Sequence, residues 1–136
     1  MVWLLAACSP AADVVIDDAW IRAAPPGAHM LAAYGTITNQ RGDEIVIQGV
    51  ESAQFASVSV HESLEINGTA TMRPAGDLRL APGQSIDLRP GGLHFMLMGP
   101  TAEFDRTQQA TIRLLFDDGS ATEHRFSTSD PATPTR

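Results

Sequence analysis

The segment RPGGLHFMLMGP, residues 89–100, predicts a β-strand with two chemically different faces. Successive side chains of a strand point to opposite sides of its sheet. One face is apolar, and we expect it to lie against the core: it carries Leu93, Phe95 and Leu97. The opposite face carries His94, Met96 and Met98. An imidazole and two thioethers are unusual on a strand face that is normally polar, and they make this segment the starting point for function.

Turn signals separate several further strand-like runs along the chain. They are Pro25-Pro26-Gly27, Asn67-Gly68, Pro82-Gly83 and Asp118-Gly119. Asn-Gly between alternating apolar residues is typical of a two-residue hairpin turn. No run shows a clear helical period, and Trp20 and Tyr34 are expected as core aromatics. The pattern predicts one all-β domain, an antiparallel sandwich or barrel.

Composition and motifs limit the possible functions. The 136 residues fit one domain, and the formal net charge of −7 argues against DNA or RNA as a partner. Nucleophile-elbow, phosphate-loop and dinucleotide-binding motifs are absent from the sequence. The carboxylate pairs Asp17-Asp18 and Asp117-Asp118 stand at turns or strand starts, where solvation explains them. We therefore expect a protein that is not an enzyme.

The first residues, MVWLLAACSP, contain the only cysteine of the chain. Leu5-Ala6-Ala7-Cys8 resembles a bacterial lipobox, in which the cysteine after the cleavage site is acylated. The apolar run has no basic residues before it, so residues 1–8 are predicted to be a truncated lipoprotein signal. The alternative is an apolar N-terminus with a free thiol. We expect a linker at 9–13, the domain at 14–128 and a disordered tail at 129–136.

The remaining candidate functional groups are histidine and methionine side chains, which can bind a metal ion. The histidines are His29, His61, His94 and His124, and the methionines after the first residue are Met30, Met72, Met96 and Met98. A thioether prefers Cu(I), and imidazole also suits copper. Zinc is normally held by thiolate, imidazole or carboxylate, and a blue-copper site requires a cysteine in the domain. Two imidazoles with two thioethers would hold Cu(I) in a roughly tetrahedral site.

The spacing of these residues supports such a site. His61, Met72, His94 and Met96 follow the pattern H-x10-M-x21-H-x-M. This pattern resembles the signature of the periplasmic copper chaperone family called PCuAC. The similarity extends from about residue 19 to residue 126 and includes the segments AWIRAAPPGAHMLAAYGTITN, VHES, MRPAGDLRLAPG, LRPGGLHFMLMGP and LLFDDGS.

The resemblance implies a cupredoxin-like Greek-key β-barrel or sandwich with His61, Met72, His94 and Met96 as Cu(I) ligands. It also implies a periplasmic role, in which copper passes to or from a protein of cytochrome c oxidase assembly. A lipid anchor at Cys8 would be the only contact with a membrane. Ser63 stands where many relatives carry a methionine, and the tail lacks the histidines and methionines of some relatives.

Several questions stay open at the level of sequence. Met98, His29 and Met30 are the residues whose help at the site is undecided, and His124 is expected to be structural. The alternative function is a non-metal sandwich scaffold or adhesion lipoprotein in which histidine and methionine are incidental. A copper electron-transfer domain is disfavoured, because thioethers stabilise one oxidation state.

Overall fold

The computed structural model describes residues 13–129, which form ten β-strands and one short helix. The elements are β1 (Val14–Arg22), β2 (Met30–Asn39), β3 (Ile45–Glu51), β4 (Phe55–Ile66), β5 (Thr69–Pro74), β6 (Leu78–Leu80), β7 (Ser85–Leu88), β8 (Leu93–Pro100), α1 (Ala102–Thr107), β9 (Gln109–Phe116) and β10 (Ala121–Ser129). The all-β prediction is confirmed. No helix within residues 13–129 has the length and apolar character of a membrane span.

Three of the sequence predictions concern the ends of the chain: the signal, the linker and the tail. The signal with Cys8 lies outside the described residues, as do residues 9–12 of the linker and 130–136 of the tail. Strand β10 ends at Ser129, so regular structure reaches the first residue of the predicted tail.

The strands pair in the order β5-β4-β8-β2-β1-β10-β9-β3-β6, and β7 also pairs with β2. Phe95 of β8 and Phe126 of β10 are three steps apart in this order, yet their ring centroids are only 6.2 Å apart. Neighbouring strands lie about 4.8 Å apart, so a flat sheet would separate them by more than twice that distance. The sheet therefore folds over onto itself around a shared core.

The sheet does not close, and the barrel alternative is wrong. No ladder within residues 13–129 joins the two outermost strands, β5 and β6. Strand β6 has only three residues, and all six residues of β5 are exposed. The result is a sandwich-like open sheet, in which β5 keeps a free edge beside β4.

The predicted faces of β8 are confirmed. Phe95 and Leu97 are fully buried in the core, and Leu93 packs against it half-buried. The Asn67-Gly68 turn is also confirmed, because both residues have positive φ, 53° and 78°, between β4 and β5. That is the backbone of a type I′ hairpin turn, which fixes how β4 and β5 pair.

Helix α1 was not predicted. Its six residues are too few to show a 3.6-residue period in the sequence. The Thr101 hydroxyl caps it by accepting from the Phe104 N–H at 3.3 Å. Phe104 enters the core against Phe55, with ring centroids 4.6 Å apart. The helix thus covers one end of the core with a single buried side chain.

Candidate metal centre

Two of the predicted ligands form a cross-strand pair. His61 of β4 lies directly opposite His94 of β8 in the antiparallel ladder. Their ring centroids are 6.2 Å apart and the rings are inclined by 62°. The side chain of His94 is almost completely buried, at 3% exposure, whereas His61 is half-buried. Strand pairing therefore brings together two histidines that are 33 positions apart in the chain.

Each ring of this pair has one nitrogen held by the protein and one left free. Nδ1 of His94 lies 3.2 Å from the carbonyl oxygen of Gly92, which can only accept, so Nδ1 carries the hydrogen. Nε2 of His61 lies 3.2 Å from Oγ of Ser59. The other two nitrogens, Nε2 of His94 and Nδ1 of His61, are buried and have no hydrogen-bond partner among residues 13–129.

Unpartnered buried nitrogens are costly, by about 1–3 kcal/mol for a polar group, and a native protein keeps them for a reason. A metal ion bound by both nitrogens would satisfy them. The contact between His94 and Gly92 then has the form expected around a metal, because an imidazole ligand normally donates its other N–H to a carbonyl or carboxylate.

The two predicted thioethers flank this pair. Met96 of β8 lies opposite Ser59 of β4, and Met72 of β5 lies opposite Ser63 of β4. Each methionine is therefore a diagonal neighbour of His61, about 7–8 Å away between Cα atoms, a distance that long side chains span. All four predicted ligands share one face of β5, β4 and β8.

Exposure differs between the two thioethers. Met96 is 4% exposed, whereas Met72, on the edge strand, is 49% exposed. The donors therefore range from buried on β8 to solvent-accessible on β5. Residues 13–129 contain no group of three or more His, Cys, Asp or Glu side chains that could hold a metal. The candidate site consists of two imidazoles and two thioethers, which are all neutral donors.

Comparison with known proteins supplies the family. The family model described as "Putative lipoprotein LpqE-like" matches residues 14–127. The chain belongs to the LpqE-like family. "Putative lipoprotein Lxx21020" of Leifsonia xyli subsp. xyli (strain CTCB07) is 36% identical over 108 residues, which cover 79% of the LpqE-like chain and 64% of that relative. The chain thus spans less than two thirds of the relative's length.

Solved structures show the same fold. The copper-bound PCuAC domain from PmoF2 is 22% identical, with a TM-score of 0.66, and the match covers 88% of the LpqE-like chain and 94% of that domain. The solution structure of apo-DR1885 from Deinococcus radiodurans is 25% identical, with a TM-score of 0.61, covering 89% and 83%. The expected cupredoxin-like fold and its structural similarity to PCuAC domains are confirmed.

An aromatic pair borders the candidate site of the LpqE-like domain on the side away from β5. Tyr34 of β2 has its ring centroid 6.3 Å from that of His94, and Trp20 of β1 lies 4.8 Å from Tyr34. The prediction of core aromatics is confirmed for Tyr34, which is buried at 6% exposure, and is wrong for Trp20, which is only half-buried. Neither ring belongs to the main core cluster.

A β-bulge explains the position of Trp20. The pairing of β1 with β2 shifts by one residue between Asp17 and Trp20, and Asp18 in this stretch has a φ of 52°. The extra residue moves Trp20 to the outer face and places Ile21 in the core. Gly35 of β2 accommodates the bulge, because a Cβ there would lie 2.8 Å from Cγ2 of Ile16.

The remaining candidates separate into two groups. Met98 lies on the same face as Met96 and directly opposite Met30 of β2, and both Met30 and Met98 are exposed. His124 lies on β10, three strands away from β8, where its Nε2 lies 2.8 Å from the Thr122 hydroxyl. Burial lowers the pKa of His124 below its usual value of 6.5. The structure places Met30 and Met98 on the face of the site and His124 on a strand that carries none of the predicted ligands.

Proposed function

We propose that this LpqE-like domain binds one Cu(I) ion through His61, Met72, His94 and Met96. The observation that carries the proposal is the opposed histidine pair, whose second ring nitrogens are both buried and lack a partner in the described part of the chain. Diagonal thioethers complete a neutral, soft donor set, which favours Cu(I) over Cu(II) and over zinc. The copper-bound PCuAC domain from PmoF2 and CuI-DR1885 share the fold, which supports copper as the ion.

The gradient of exposure across the donors suits transfer rather than catalysis. Met72 stands on the exposed edge strand, so it is the donor that can be exchanged first. His94 and Met96 are buried and would hold the ion until that exchange is under way. Cu(I) is then cargo, bound and released without a change of oxidation state. The domain acts as a metallochaperone and not as an enzyme.

We further propose where this chaperone works. It is extracytoplasmic, in the periplasm, tethered through an acylated Cys8, and it delivers copper to cytochrome c oxidase assembly. The lipobox-like residues before Cys8 support the anchor, as do the lipoprotein descriptions of the family and of the Leifsonia relative. The similarity to PCuAC domains supports the copper-handling partner, because those domains share the fold.

The first prediction concerns metal content. Titration of the purified domain with Cu(I), in competition with a chromophoric chelator, is expected to show one tightly bound ion per chain. X-ray absorption of that complex should show both sulfur and nitrogen neighbours of copper, because thioethers and imidazoles share the ion. Zn(II) should bind far more weakly under the same conditions. A copper shell without sulfur would contradict the ligand set, and no stoichiometric binding at all would favour the scaffold alternative.

The second prediction concerns the anchor. A protein expressed in a bacterium from its complete gene is expected to partition into the detergent phase, because acyl chains at Cys8 carry a large apolar surface. The variant Cys8→Ala should move to the aqueous phase, while its Cu(I) binding stays unchanged. Mass spectrometry of the wild-type N-terminal peptide should show the added lipid. Equal partitioning of both proteins would remove the support for an anchor.

A further inference from the structure

The methionines of the described residues are distributed unevenly. All four lie on the face that carries the candidate copper site, and none belongs to the hydrophobic core cluster: Met30, Met72, Met96 and Met98. Methionine usually serves to fill irregular gaps in a core, and the solvent-facing positions of an antiparallel strand are usually polar. Packing alone therefore does not explain why two exposed positions on this face, 30 and 98, are methionines.

Met30 and Met98 form a close pair. They lie directly opposite each other on β2 and β8. The adjacent pair in the ladder, His29 and Gly99, is hydrogen-bonded: the Gly99 N–H donates to the His29 carbonyl at 2.8 Å. Hydrogen-bonded and non-hydrogen-bonded pairs alternate along an antiparallel ladder, so Met30 and Met98 are a non-hydrogen-bonded pair, with Cα atoms about 4.5 Å apart. Two flexible thioethers at that separation can bind the same soft ion.

This pair connects with the candidate copper site. Met98 and Met96 are two residues apart on the same face of β8, a distance of about 7 Å. Met98 is 37% and Met30 54% exposed, whereas Met96 is buried. The residues beside Met96 on the neighbouring strands are the small Ala32 and Ser59. A row of thioethers thus runs from solvent to a buried ligand of the proposed site.

We infer that Met30 and Met98 form a second, weaker soft-metal site, through which Cu(I) enters and leaves by way of Met96. The inference rests on the proposed function, because it takes Met96 to be a ligand of the main site. Two thioethers bind Cu(I) more weakly than four donors, so the ion passes inward. Each step exchanges one neutral thioether for another, and no electron or proton is transferred.

Silver provides the direct test, because Ag(I) is a soft ion that does not change oxidation state under these conditions. Protein labelled with ¹³C at the methionine methyl groups is titrated with Ag(I) and followed by NMR. The first equivalent is expected to shift the methyl signals of Met72 and Met96. The second is expected to shift those of Met30 and Met98, and Met30→Leu or Met98→Leu should remove that second step. Leucine conserves volume, so these exposed substitutions leave the fold intact.

Kinetics tests the role in transfer. Release of Cu(I) to a chromophoric chelator, measured by stopped flow, should slow about tenfold in the double variant that combines Met30→Leu with Met98→Leu, which equals about 1.4 kcal/mol of activation free energy. The affinity of the first ion should stay unchanged. Ile66→Leu, at an exposed position near the end of β4, is the matched control and should release copper at the wild-type rate.

The outcomes distinguish this inference from the proposed function. If Met72 and Met96 respond to the first equivalent but Met30 and Met98 never respond, the second site is wrong. If Met30 and Met98 respond but release is as fast in the double variant as in wild type, the transfer role of the pair is wrong. In both cases the main site stands. If Met72 and Met96 do not respond to the first equivalent, the proposed function is wrong, and the signals of Met30 and Met98 still decide whether they bind silver.

Discussion

Replacement of His94 by alanine is expected to lower the affinity for Cu(I) by at least about 100-fold, the upper end of what loss of a mere outer-shell partner costs a metal site. Nε2 of His94 is one of the two buried histidine nitrogens that find no partner within residues 13–129, and the ring is held by the contact of Nδ1 with the Gly92 carbonyl. The variant removes a donor that is already oriented, and alanine supplies none in its place. Competition against a chromophoric Cu(I) chelator measures the loss.

The matched control for this variant is His124→Ala. Like His61, His124 is a partly buried histidine with a hydroxyl neighbour, in this case Thr122, but it lies on β10. Its removal should leave Cu(I) affinity and stoichiometry unchanged. His61→Ala should lose affinity like His94→Ala, because both rings contribute a free nitrogen. Equal affinities for wild type and His94→Ala would contradict the proposed site, and a loss in His124→Ala would indicate a non-specific effect.

Part of this site can be derived from local sequence rules. Alternation along residues 93–98 predicts that His94 and Met96 share a face opposite the core, as the structure shows. The Asn67-Gly68 turn determines the pairing of β4 with β5, since a two-residue turn places Ile66 opposite Thr69. Counting back along both strands then puts Met72 opposite Ser63, diagonal to His61. Two halves of the site are thus encoded within single strands and one hairpin.

The connection between those halves is not encoded locally. His61 faces His94 because β4 pairs with β8, and the chain between them passes through β5, β6 and β7. No turn of defined length fixes that pairing, so it depends on how the whole core packs. The spacing H-x10-M-x21-H-x-M suggested the partnership only through its resemblance to a family. The structure supplies the physical basis, which is a direct cross-strand pair.

The two wrong predictions, a core position for Trp20 and a closed barrel, also depend on tertiary structure that local sequence does not determine. Trp20 was expected in the core because large aromatics are usually buried there. The bulge at Asp18 turns Trp20 to the outer face, and a single inserted residue of this kind has no strong sequence signal. A sheet closes into a barrel only if its two outermost strands pair with each other. The sequence of a strand as short as β6, with three residues, does not show which strand it pairs with.

The buried and the exposed thioether should respond differently to the same substitution. Met96→Ala is expected to lower the free energy of unfolding by about 2 kcal/mol, because truncation of a buried methionine leaves a cavity. Met72→Ala should change that free energy by less than about 0.5 kcal/mol, since its side chain is half exposed to solvent. Chemical denaturation of the metal-free proteins measures both values. Stability alone therefore separates the two positions before any metal is added.

Leucine separates packing from ligation at these positions. It is nearly equal in volume to methionine, so Met96→Leu should cost less than about 1.5 kcal/mol of stability. It has no sulfur, so both Met96→Leu and Met72→Leu should bind Cu(I) at least about tenfold more weakly, equal to about 1.4 kcal/mol of binding free energy. X-ray absorption of each copper-loaded variant should show one sulfur neighbour fewer than wild type. Unchanged affinity in Met72→Leu would mean that the edge strand contributes no donor, and copper would then be held by His61, His94 and Met96 alone.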